Sequence, residues 1–395
     1  MLTRWIQDDA ACLRSLPKSS YLRFKIVTLK KISITIEGWT CRITIEPGLL
    51  RKLGPPLSRL LPRQESLVLV ITNPAIRAMW GPILGKSLGD ENINFRFLEM
   101  KDGERYKTLA TVENLAEKLV KLGADRSSLI VALGGGVVGD VAGFLASSYM
   151  RGVGCVQVPT TFLAQVDSSV GGKTGVNLKS GKNLLGSFQQ PQAVFIDPEV
   201  LQTMPDREFR AGLYEALKYG IIRDPKIFNY MEQYRRRLLD RHPSTLEHVI
   251  AASVRVKAQI VTLDEREAGL RRILNFGHTL GHALEAETGY QTLLHGEAVA
   301  WGMIGAVFIA SMTGRLKAVH ANHIISAVLA FAPLPPIKVS SQNVRKRLGA
   351  DKKAVGGVPY FVLPLRIGQV EIATGIPPEI IERAVDELRR LSVEL

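Results

Sequence analysis

Three histidines and two glutamates lie close together in the second half of the sequence, and their residue types are those of a metal site. His278 and His282 are four residues apart, so on a helix both imidazoles would share one face, as two metal ligands would. With His295, three of the seven histidines fall within eighteen residues, beside Glu285 and Glu297. Imidazoles with a carboxylate suit Zn²⁺ or a similar divalent ion. A structural histidine pair is the alternative, and the lack of an HExxH motif argues against a metalloprotease.

A glycine-rich segment follows a run of apolar residues that predicts a strand. Gly134, Gly136 and Gly139 form the pattern GxGxxG, which brings backbone N–H groups close to a pyrophosphate at the start of a helix. The acidic residue that usually binds the ribose about 20 residues later is missing, because no Asp or Glu lies between Asp140 and position 167. Two interpretations remain open: a dinucleotide-binding loop of an unusual kind, or a tight structural turn.

A basic, glycine-containing segment comes next along the chain. Lys173, Lys179 and Lys182 lie among glycines, with Asp167 and Asn183 nearby. Lysine meets phosphate as a mobile point charge, so the segment predicts a small substrate rich in phosphate and hydroxyl groups. Its Gly-Lys-Thr string resembles the end of a P-loop, but Asp167 stands where that motif needs its first glycine, which excludes a P-loop. An exposed basic loop is the alternative.

A group of acidic and basic residues precedes the histidines. Glu208, Glu215 and Lys218 lie at helical spacings near one face, although a simple ion pair between residues three apart is the alternative. Three more charged residues lie just before the histidines: Lys257, Glu267 and Arg271.

The composition is that of a globular protein. The chain has 395 residues, of which 46% are hydrophobic, with 35 glycines and 20 prolines, which excludes disordered, collagen-like and coiled-coil proteins. The 51 Lys+Arg against 37 Asp+Glu give a net charge of +14, so nucleic-acid binding is the non-enzyme alternative. The basic residues are dispersed and aromatic residues make up only 7% of the chain. We therefore expect an anionic small molecule, and no nucleic acid, as the partner.

The cysteines and the apolar stretches predict a cytoplasmic location. Three cysteines without a CxxC pair provide neither a disulfide framework nor a thiolate zinc site, and they suit a reducing compartment. The first twenty residues have no apolar core of a signal peptide. Two apolar stretches, 298–314 and 318–337, are too short or too interrupted by glycine, proline and polar residues to span a membrane, so we expect buried helices and no membrane partner.

The elements that must position these groups change in type near residue 198. Up to that point short β-rich runs alternate with helical patterns, which predicts a mostly parallel sheet covered by helices on both faces. The predicted strands are 32–36, 67–71, 95–98, 129–133, 155–158 and 193–196.

Amphipathic helical patterns fill residues 199–331, and a last helix is predicted over 378–391. We therefore expect a disordered tail over 1–22, an α/β nucleotide-binding domain over 23–197, and an all-α metal- and substrate-binding domain over 198–395. The cleft between the two domains is where the chemistry is expected.

Taken together, these strings closely resemble those of the 3-dehydroquinate synthases, a family of sugar-phosphate cyclases. The matching segments run in family order and extend over about residues 25–390, which makes the resemblance far more specific than a single GxGxxG. They are 102–107, 134–140, 150–152, 158–177, 181–183, 215–220, 275–282, 295–297 and 351–353.

The resemblance implies a dehydroquinate synthase-like fold and a reaction of the shikimate pathway. In this reaction 3-deoxy-D-arabino-heptulosonate 7-phosphate is converted to 3-dehydroquinate and phosphate. NAD oxidises the substrate transiently, phosphate leaves by elimination, the hydride returns, and an intramolecular aldol step closes the ring. NAD thus acts as a catalyst beside one divalent ion, Zn²⁺ or Co²⁺. The family also suggests a homodimer.

The resemblance also implies a role for each matching residue. Glu215, His278 and His295 would hold the metal, and His282 would transfer a proton or donate a hydrogen bond, which replaces the initial pairing of His278 with His282 as joint ligands. Glu267 would lie near the proton-transfer path. The expected substrate contacts are Arg151, Asp167, Lys173, Asn183, Lys218, Lys257, Arg271, Asn275 and one of Lys352 and Lys353. The expected NAD contacts are Asn73, Glu104, Lys107, Gly134, Gly135, Gly136, Gly139, Asp140, Thr160, Thr161, Lys182, Thr203 and Glu208.

Two other enzyme classes stay open at this point. Sister cyclases act on sedoheptulose 7-phosphate or glucose 6-phosphate, but the string from Ser168 to Lys173, with Asn183 and the Lys352-Lys353 pair, favours a carboxylate-bearing substrate. A metal-dependent polyol or alcohol dehydrogenase would need no phosphate-binding lysines and would accumulate NADH.

Overall fold

Eight strands form one sheet in the first half of the chain. The computed structural model describes residues 23–28, 31–36, 39–349 and 359–394, so the predicted tail and the Lys352-Lys353 pair lie outside the described residues. The sheet strands are β1 (Arg23–Thr28), β2 (Lys31–Ile36), β3 (Trp39–Ile45), β4 (Val68–Thr72), β5 (Phe95–Glu99), β6 (Leu129–Gly134), β7 (Gly154–Pro159) and β10 (Ala193–Ile196).

The sheet is mostly parallel, as the sequence predicts. Its order is β1-β2-β3-β10-β7-β6-β4-β5; the six strands from β3 to β5 in this order run parallel, and β2 is antiparallel to both its neighbours. All six predicted strands are present, with bounds that differ by at most one residue. The basic segment is not an exposed loop, because it forms a separate hairpin of β8 (Lys173–Leu178) and β9 (Gly181–Phe188).

The strand order creates a crevice at one edge of this sheet. After β4 the chain moves outward to β5, and it then returns to place β6 on the other side of β4. At such a switch point the two following connections diverge, which leaves space beyond the carboxyl ends of the strands. Asn73 follows β4 directly, and Gly135 follows β6, so the glycine-rich segment lies at this crevice.

Helices cover both faces of the sheet. They are α1 (Gly54–Ser58), α2 (Pro74–Gly89), α3 (Leu109–Lys121) and α4 (Gly136–Ser148). Asn73 and Thr108 begin α2 and α3, where each side chain accepts a hydrogen bond from the first turn. The helices bury apolar side chains against the continuous apolar runs of the strands, and the sheet therefore separates two hydrophobic cores.

The second half of the chain is helical. Its helices are α5 (Asp206–Ile222), α6 (Pro225–Gln233), α7 (Arg235–Leu239), α8 (Pro243–Leu263), α9 (His278–Glu287), α10 (His295–Met312), α11 (Ala318–Leu329), α12 (Ser341–Gly349) and α13 (Pro378–Glu394). The all-α expectation omitted one feature, a two-stranded hairpin of β11 (Phe361–Arg366) and β12 (Gln369–Ala373) that packs against α5 and α10.

Helix α10 is the centre of this half. It is the one described helix that is long and apolar enough to cross a membrane by length and composition, and 78% of it is buried inside the protein. Its neighbours include α5, α9, α11 and α13. The buried share is that of a core helix, in line with the sequence expectation for this stretch.

The contact between α9 and α10 is close enough to require glycine. A Cβ atom on Gly302 would lie 1.9 Å from the carbonyl oxygen of Gly277. Gly277 itself has φ +79°, a conformation that suits glycine, and it directly precedes His278. The backbones of α9 and α10 therefore come into contact at the residue that directly precedes His278.

We expect Gly302→Ala to destabilise the protein by at least about 2 kcal/mol, because a methyl group cannot fit against a backbone carbonyl without moving a helix. Urea unfolding followed by circular dichroism measures the change. Gly89→Ala is the matched control, since a Cβ there meets nothing within 4 Å and the free energy of unfolding should stay nearly constant. Equal stability of the two variants would contradict the packing argument.

Candidate active site

Four side chains from three helices converge in the cleft between the sheet and the helical half. Glu215 lies in the middle of α5 and is fully buried, while His278 and His295 are the first residues of α9 and α10. His278 Nε2 lies 3.4 Å from Glu215 Oε1, and His295 Nε2 lies 3.5 Å from the same oxygen. The His282 ring centroid is 5.4 Å from that of His278 and 5.8 Å from that of His295.

These distances fit a tetrahedral metal ion. Ligands about 2.0–2.2 Å from a metal lie about 3.3–3.6 Å from one another at the corners of a tetrahedron. The two histidines that face Glu215 also have a partner for the other ring nitrogen: His278 Nδ1 is 3.1 Å from the carbonyl oxygen of Phe276, and His295 Nδ1 is 3.2 Å from Glu285 Oε2. Such contacts leave both Nε2 atoms directed at Glu215, as in metal sites. His282 nitrogen also lies within 4.8 Å of the other two histidines.

The neighbours of this cluster shift the pKa values of its members in different directions. Burial raises the pKa of Glu215, but the charges of Lys218 and His278 outweigh this effect, so the pKa lies well below its ordinary value. Burial lowers the pKa of His278 and favours the neutral imidazole that binds metals. Burial also lowers the pKa of His295, but the contacts with Glu215 and Glu285 outweigh it and raise this pKa to about 9. Metal binding by His295 would therefore compete with its protonation.

A second buried cluster adjoins the first through Lys218. Lys218 Nζ lies 2.5 Å from Glu215 Oε2 and 3.5 Å from Asp167 Oδ2. Asp167 also pairs with Lys257 and accepts a hydrogen bond of 3.0 Å from the hydroxyl of Tyr219. Burial raises the pKa of Asp167, but Lys257 and Lys218 lower it below its ordinary value. Burial lowers the pKa of Lys257 to about 8, although Asp167 opposes this shift.

The hairpin of β8 and β9 contributes its lysine to the same cleft. Lys173 pairs with Glu267, which also accepts a hydrogen bond from Asn275. Asn275 donates a second hydrogen bond of 2.9 Å to the hydroxyl of Tyr360. Glu267 has φ +61°, which is uncommon for a residue with a side chain and typical of functional positions.

Arg271 connects this group to the loop that precedes the hairpin. Its side chain is 2% exposed, and its Nη2 donates a 2.9 Å hydrogen bond to the carbonyl oxygen of Gly171. The structure thus brings six of the predicted substrate contacts together beside the histidines: Asp167, Lys173, Lys218, Lys257, Arg271 and Asn275. Asn183 lies instead with Lys107.

The glycine-rich segment lies at the crevice with a small polar cluster. Lys107 pairs with Asp140 and donates to Asn183 Oδ1, and burial raises the pKa of Asp140, although Lys107 opposes this shift. Because Gly135 has no side chain, the first N–H groups of α4 receive no side-chain cap from it. Among the described residues none accepts from or donates to the buried hydroxyl of Thr160. Both features leave polar groups available to a nucleotide.

The glycine-rich segment has features of both interpretations, the tight structural turn and the nucleotide-binding loop. A Cβ on Gly135 would lie 2.9 Å from Thr161 Cγ2, and one on Gly139 would lie 2.8 Å from the Gln157 side-chain oxygen. The glycines therefore allow close packing at the start of α4, as a tight structural turn would. The same packing places the helix N-terminus at the crevice.

The remaining predicted NAD contacts have varied partners in the structure. Asn73 caps α2 and donates a 2.9 Å hydrogen bond to Asp102, while Asn177 donates a 2.7 Å hydrogen bond to Glu104. Burial and the nearby Asp102 raise the pKa of Glu208, which places Glu208 on the same side. The hydroxyl of Thr203 donates to its own helical turn, and Lys182 pairs with Glu285 at 3.3 Å.

The side chain of Arg151 makes no hydrogen bond or ion pair with the other described site residues. It follows the C-terminal end of α4, whose N-terminal Gly136 lies next to Ser168. Arg151 thus lies beyond the opposite end of this 13-residue helix from Gly136. Its role as a substrate contact stays a prediction, as do the roles of Lys352 and Lys353 outside the described residues.

Tyr219 and Tyr360 were absent from the predicted site. Tyr219 could have been found, because it lies four residues after Glu215 on one helix. Tyr360 reaches Asn275 from 85 residues away in sequence, and no local pattern indicates that contact. Glu297 stood out beside the histidines, but both of its carboxylate oxygens bind Arg207, at 2.7 and 2.8 Å, and it is not one of the converging residues.

Comparison with known families now decides between the enzyme classes. A sequence model of the 3-dehydroquinate synthase N-terminal region matches residues 97–211, and one of the C-terminal region matches residues 212–354. The chain belongs to the 3-dehydroquinate synthase family. A 3-dehydroquinate synthase of Koribacter versatilis is 52% identical over 364 residues, 92% of this chain and 99% of that protein. The one of Solibacter usitatus is 49% identical over 326 residues, 82% of this chain and 91% of that protein.

Solved structures of sister enzymes share the fold of this 3-dehydroquinate synthase family member. A 2-epi-5-epi-valiolone synthase from Streptomyces hygroscopicus, solved with NAD⁺ and Zn²⁺ bound, has a TM-score of 0.82 and 27% identity, over 90% of this chain and 99% of that one. A 2-deoxy-scyllo-inosose synthase, complexed with carbaglucose-6-phosphate, NAD⁺ and Co²⁺, has a TM-score of 0.80 and 28% identity over the same shares. A probable glycerol dehydrogenase of Sinorhizobium meliloti, with 15% identity and a TM-score of 0.63, shares the fold alone.

We expect Asp167→Asn to destabilise this protein by about 3 kcal/mol, because two buried ammonium groups would lose the charge that offsets them. Chemical unfolding at neutral pH measures the loss. Asp90→Asn removes the carboxylate of an exposed pair with Lys86, whose side chains are 62% and 76% exposed, and should cost less than about 0.5 kcal/mol. If Asp167→Asn is as mild as this control, the buried charges do not depend on Asp167.

Proposed function

We propose that the cleft converts 3-deoxy-D-arabino-heptulosonate 7-phosphate to 3-dehydroquinate and phosphate, with NAD and one divalent metal ion. The observation that carries this proposal is the convergence of Glu215, His278 and His295 beside the buried cluster of Asp167, Lys218 and Lys257. A metal site and a set of buried cations in one cleft suit a hydroxylated substrate with a phosphate and a carboxylate.

Glu215, His278 and His295 would hold the ion, which we propose to be Zn²⁺ or Co²⁺. When bound, NAD accepts and returns a hydride and the ion withdraws charge from a substrate hydroxyl. The protein supplies orientation and charge: Phe276 and Glu285 hold the two imidazoles with Nε2 toward Glu215. His282, at the edge of the three rings, is placed to hold or move a proton.

The buried cations would bind the anionic groups of the substrate. Lys173 is 48% exposed at its side chain, so it can turn from Glu267 to a phosphate, and Asn275 shares that carboxylate. Removal of water from a closed cleft strengthens each of these contacts. Lys257 and Asp167 form a fixed polar pair that can orient hydroxyl groups, while Arg271 is held by backbone carbonyls.

NAD would occupy the crevice at the switch point of the sheet. The uncapped start of α4 provides N–H groups for the pyrophosphate, and the buried hydroxyl of Thr160 is available to the cofactor. Other contacts proposed at this crevice are Asn73, Glu104, Lys107, Gly134, Gly135, Gly136, Gly139, Asp140, Thr161, Lys182, Thr203 and Glu208.

Sister cyclases and dehydrogenases are less well supported. The curated 3-dehydroquinate synthases are 40–52% identical to this chain, whereas the solved valiolone and inosose synthases are 27% and 28% identical. A dehydrogenase has no use for the lysines that converge at Asp167 and Glu267.

We also propose a homodimer, a cytoplasmic location and a division of the chain at residues 197 and 198. In a homodimer, a second copy could bring Arg151 to the cleft, where the described residues of its own chain show no contact for this side chain. Lys352 or Lys353 is proposed to contact the substrate from the segment between α12 and β11.

The proposed reaction predicts phosphate release without net production of NADH. Purified protein with NAD, Zn²⁺ and 3-deoxy-D-arabino-heptulosonate 7-phosphate should release phosphate while the NADH absorbance at steady state stays flat, and a chelator should abolish the release. Steady NADH production from simple polyols would instead support a dehydrogenase. Release from sedoheptulose 7-phosphate or glucose 6-phosphate alone would support a sister cyclase.

We expect Lys173→Ala to lower kcat/KM for phosphate release by about 100-fold, the effect of one lost contact to a charged group, while NAD still binds. Lys179→Ala is the matched control, since Lys179 lies exposed at the turn of the same hairpin and its loss should change kcat/KM less than twofold. NAD binding is measured by fluorescence titration. Unchanged phosphate release by Lys173→Ala would refute the role of this lysine.

A further inference from the structure

Glu285 lies beside the metal cluster without belonging to the proposed ligands. It is on α9, two turns after His278, and only 4% of it is exposed. One carboxylate oxygen lies 3.2 Å from His295 Nδ1, and the other lies 3.3 Å from Lys182 Nζ on β9. A carboxylate buried this deeply, with one partner at each oxygen, is held in a single orientation.

The two ring nitrogens of His295 face different partners. Its Nε2 faces Glu215 Oε1 at 3.5 Å, so this nitrogen is the one that can bind a metal ion. The ring then carries its proton on Nδ1, and that N–H requires an acceptor. Glu285 Oε2 provides the acceptor, which fixes both the tautomer and the rotation of the ring.

The two histidines differ in how they are held. The acceptor for His278 Nδ1 is the backbone carbonyl oxygen of Phe276, which no substitution can remove. The acceptor for His295 is a side chain, and the His295 side chain is 35% exposed, compared with 12% for His278. Packing therefore restrains the His295 ring less, and its orientation depends more on Glu285.

We propose that Glu285 is a positioning residue that holds His295 for the metal ion. This inference rests on the proposed function, because it takes Glu215, His278 and His295 as the ligands. Lys182, on the hairpin of β8 and β9, also helps to hold Glu285 in place. Its ammonium lies 4.1 Å from the ring centroid of Tyr290 as well. A proposed NAD contact and a proposed metal ligand thus share one carboxylate.

The test measures metal binding directly, without turnover. In Glu285→Ala the dissociation constant for Zn²⁺, determined by competition with a chromophoric chelator, should rise 10- to 100-fold. The visible spectrum of the Co²⁺-loaded protein should change because the ring is no longer fixed. Glu285→Gln should restore part of the affinity, since an amide oxygen can still accept from Nδ1.

Glu287→Ala is the matched control on the same helix. Glu287 pairs with Arg347 at 2.5 Å and accepts from Asn343 at 2.9 Å, away from the histidines, so its loss should leave Zn²⁺ affinity and the Co²⁺ spectrum unchanged. Circular dichroism and thermal unfolding establish that each variant is folded. If Glu285→Ala does not fold, Glu285→Gln decides, with a smaller rise in the dissociation constant expected.

Two results would overturn different claims. If the wild-type protein binds Zn²⁺ and a folded Glu285 variant binds it equally well with the same Co²⁺ spectrum, Glu285 does not position His295 and the proposed function stands. If the wild-type protein binds neither Zn²⁺ nor Co²⁺, the proposed metal site itself is wrong.

Discussion

The buried charges at Asp167, Lys218, Lys257 and Glu215 are the interaction on which the rest of this structure depends. Each charge is costly to remove from water, by several kcal/mol even after relaxation, and the cost is offset only by partners in good geometry. Asp167 comes from the turn at Ala164–Ser168 after β7, whereas the lysines come from α5 and α8. The charges thus join the sheet half to the helical half in one relative position.

That position determines what the cleft can do. Glu215 forms an ion pair with Lys218 on one side and faces two histidines on the other, so the histidine cluster and the buried charges adjoin each other through one carboxylate. The close approach of α9 and α10 at Gly277 and Gly302 packs the helix that begins at His278 against the helix that begins at His295. The proposed metal ligands are therefore held by buried contacts, while Lys173, 48% exposed at its side chain, lies at the rim of the site.

Local patterns predicted the elements well. All six strands foreseen from apolar runs are present, because central parallel strands are buried on both faces and read as continuous apolar segments. The hairpin of β8 and β9 was missed, since Gly175 and Gly186 interrupt its apolar pattern and only their close pairing across the strands explains them. The C-terminal hairpin was missed for a similar reason: Pro364 within β11 argues against a strand.

The sequence by itself determined the chemistry of the parts: imidazoles at helical spacing, lysines among glycines, and a strand followed by a glycine-rich helix start. The sequence also identified the family, through long matching segments that local periodicity does not explain. Only the tertiary structure decided which groups meet. His282 satisfies the i, i+4 spacing, yet Glu215, 63 residues before His278, shares an oxygen with both other histidines. Helical spacing predicts which residues are neighbours on one helix. Glu215, His278 and His295 lie on three different helices, so their convergence depends on how these helices pack.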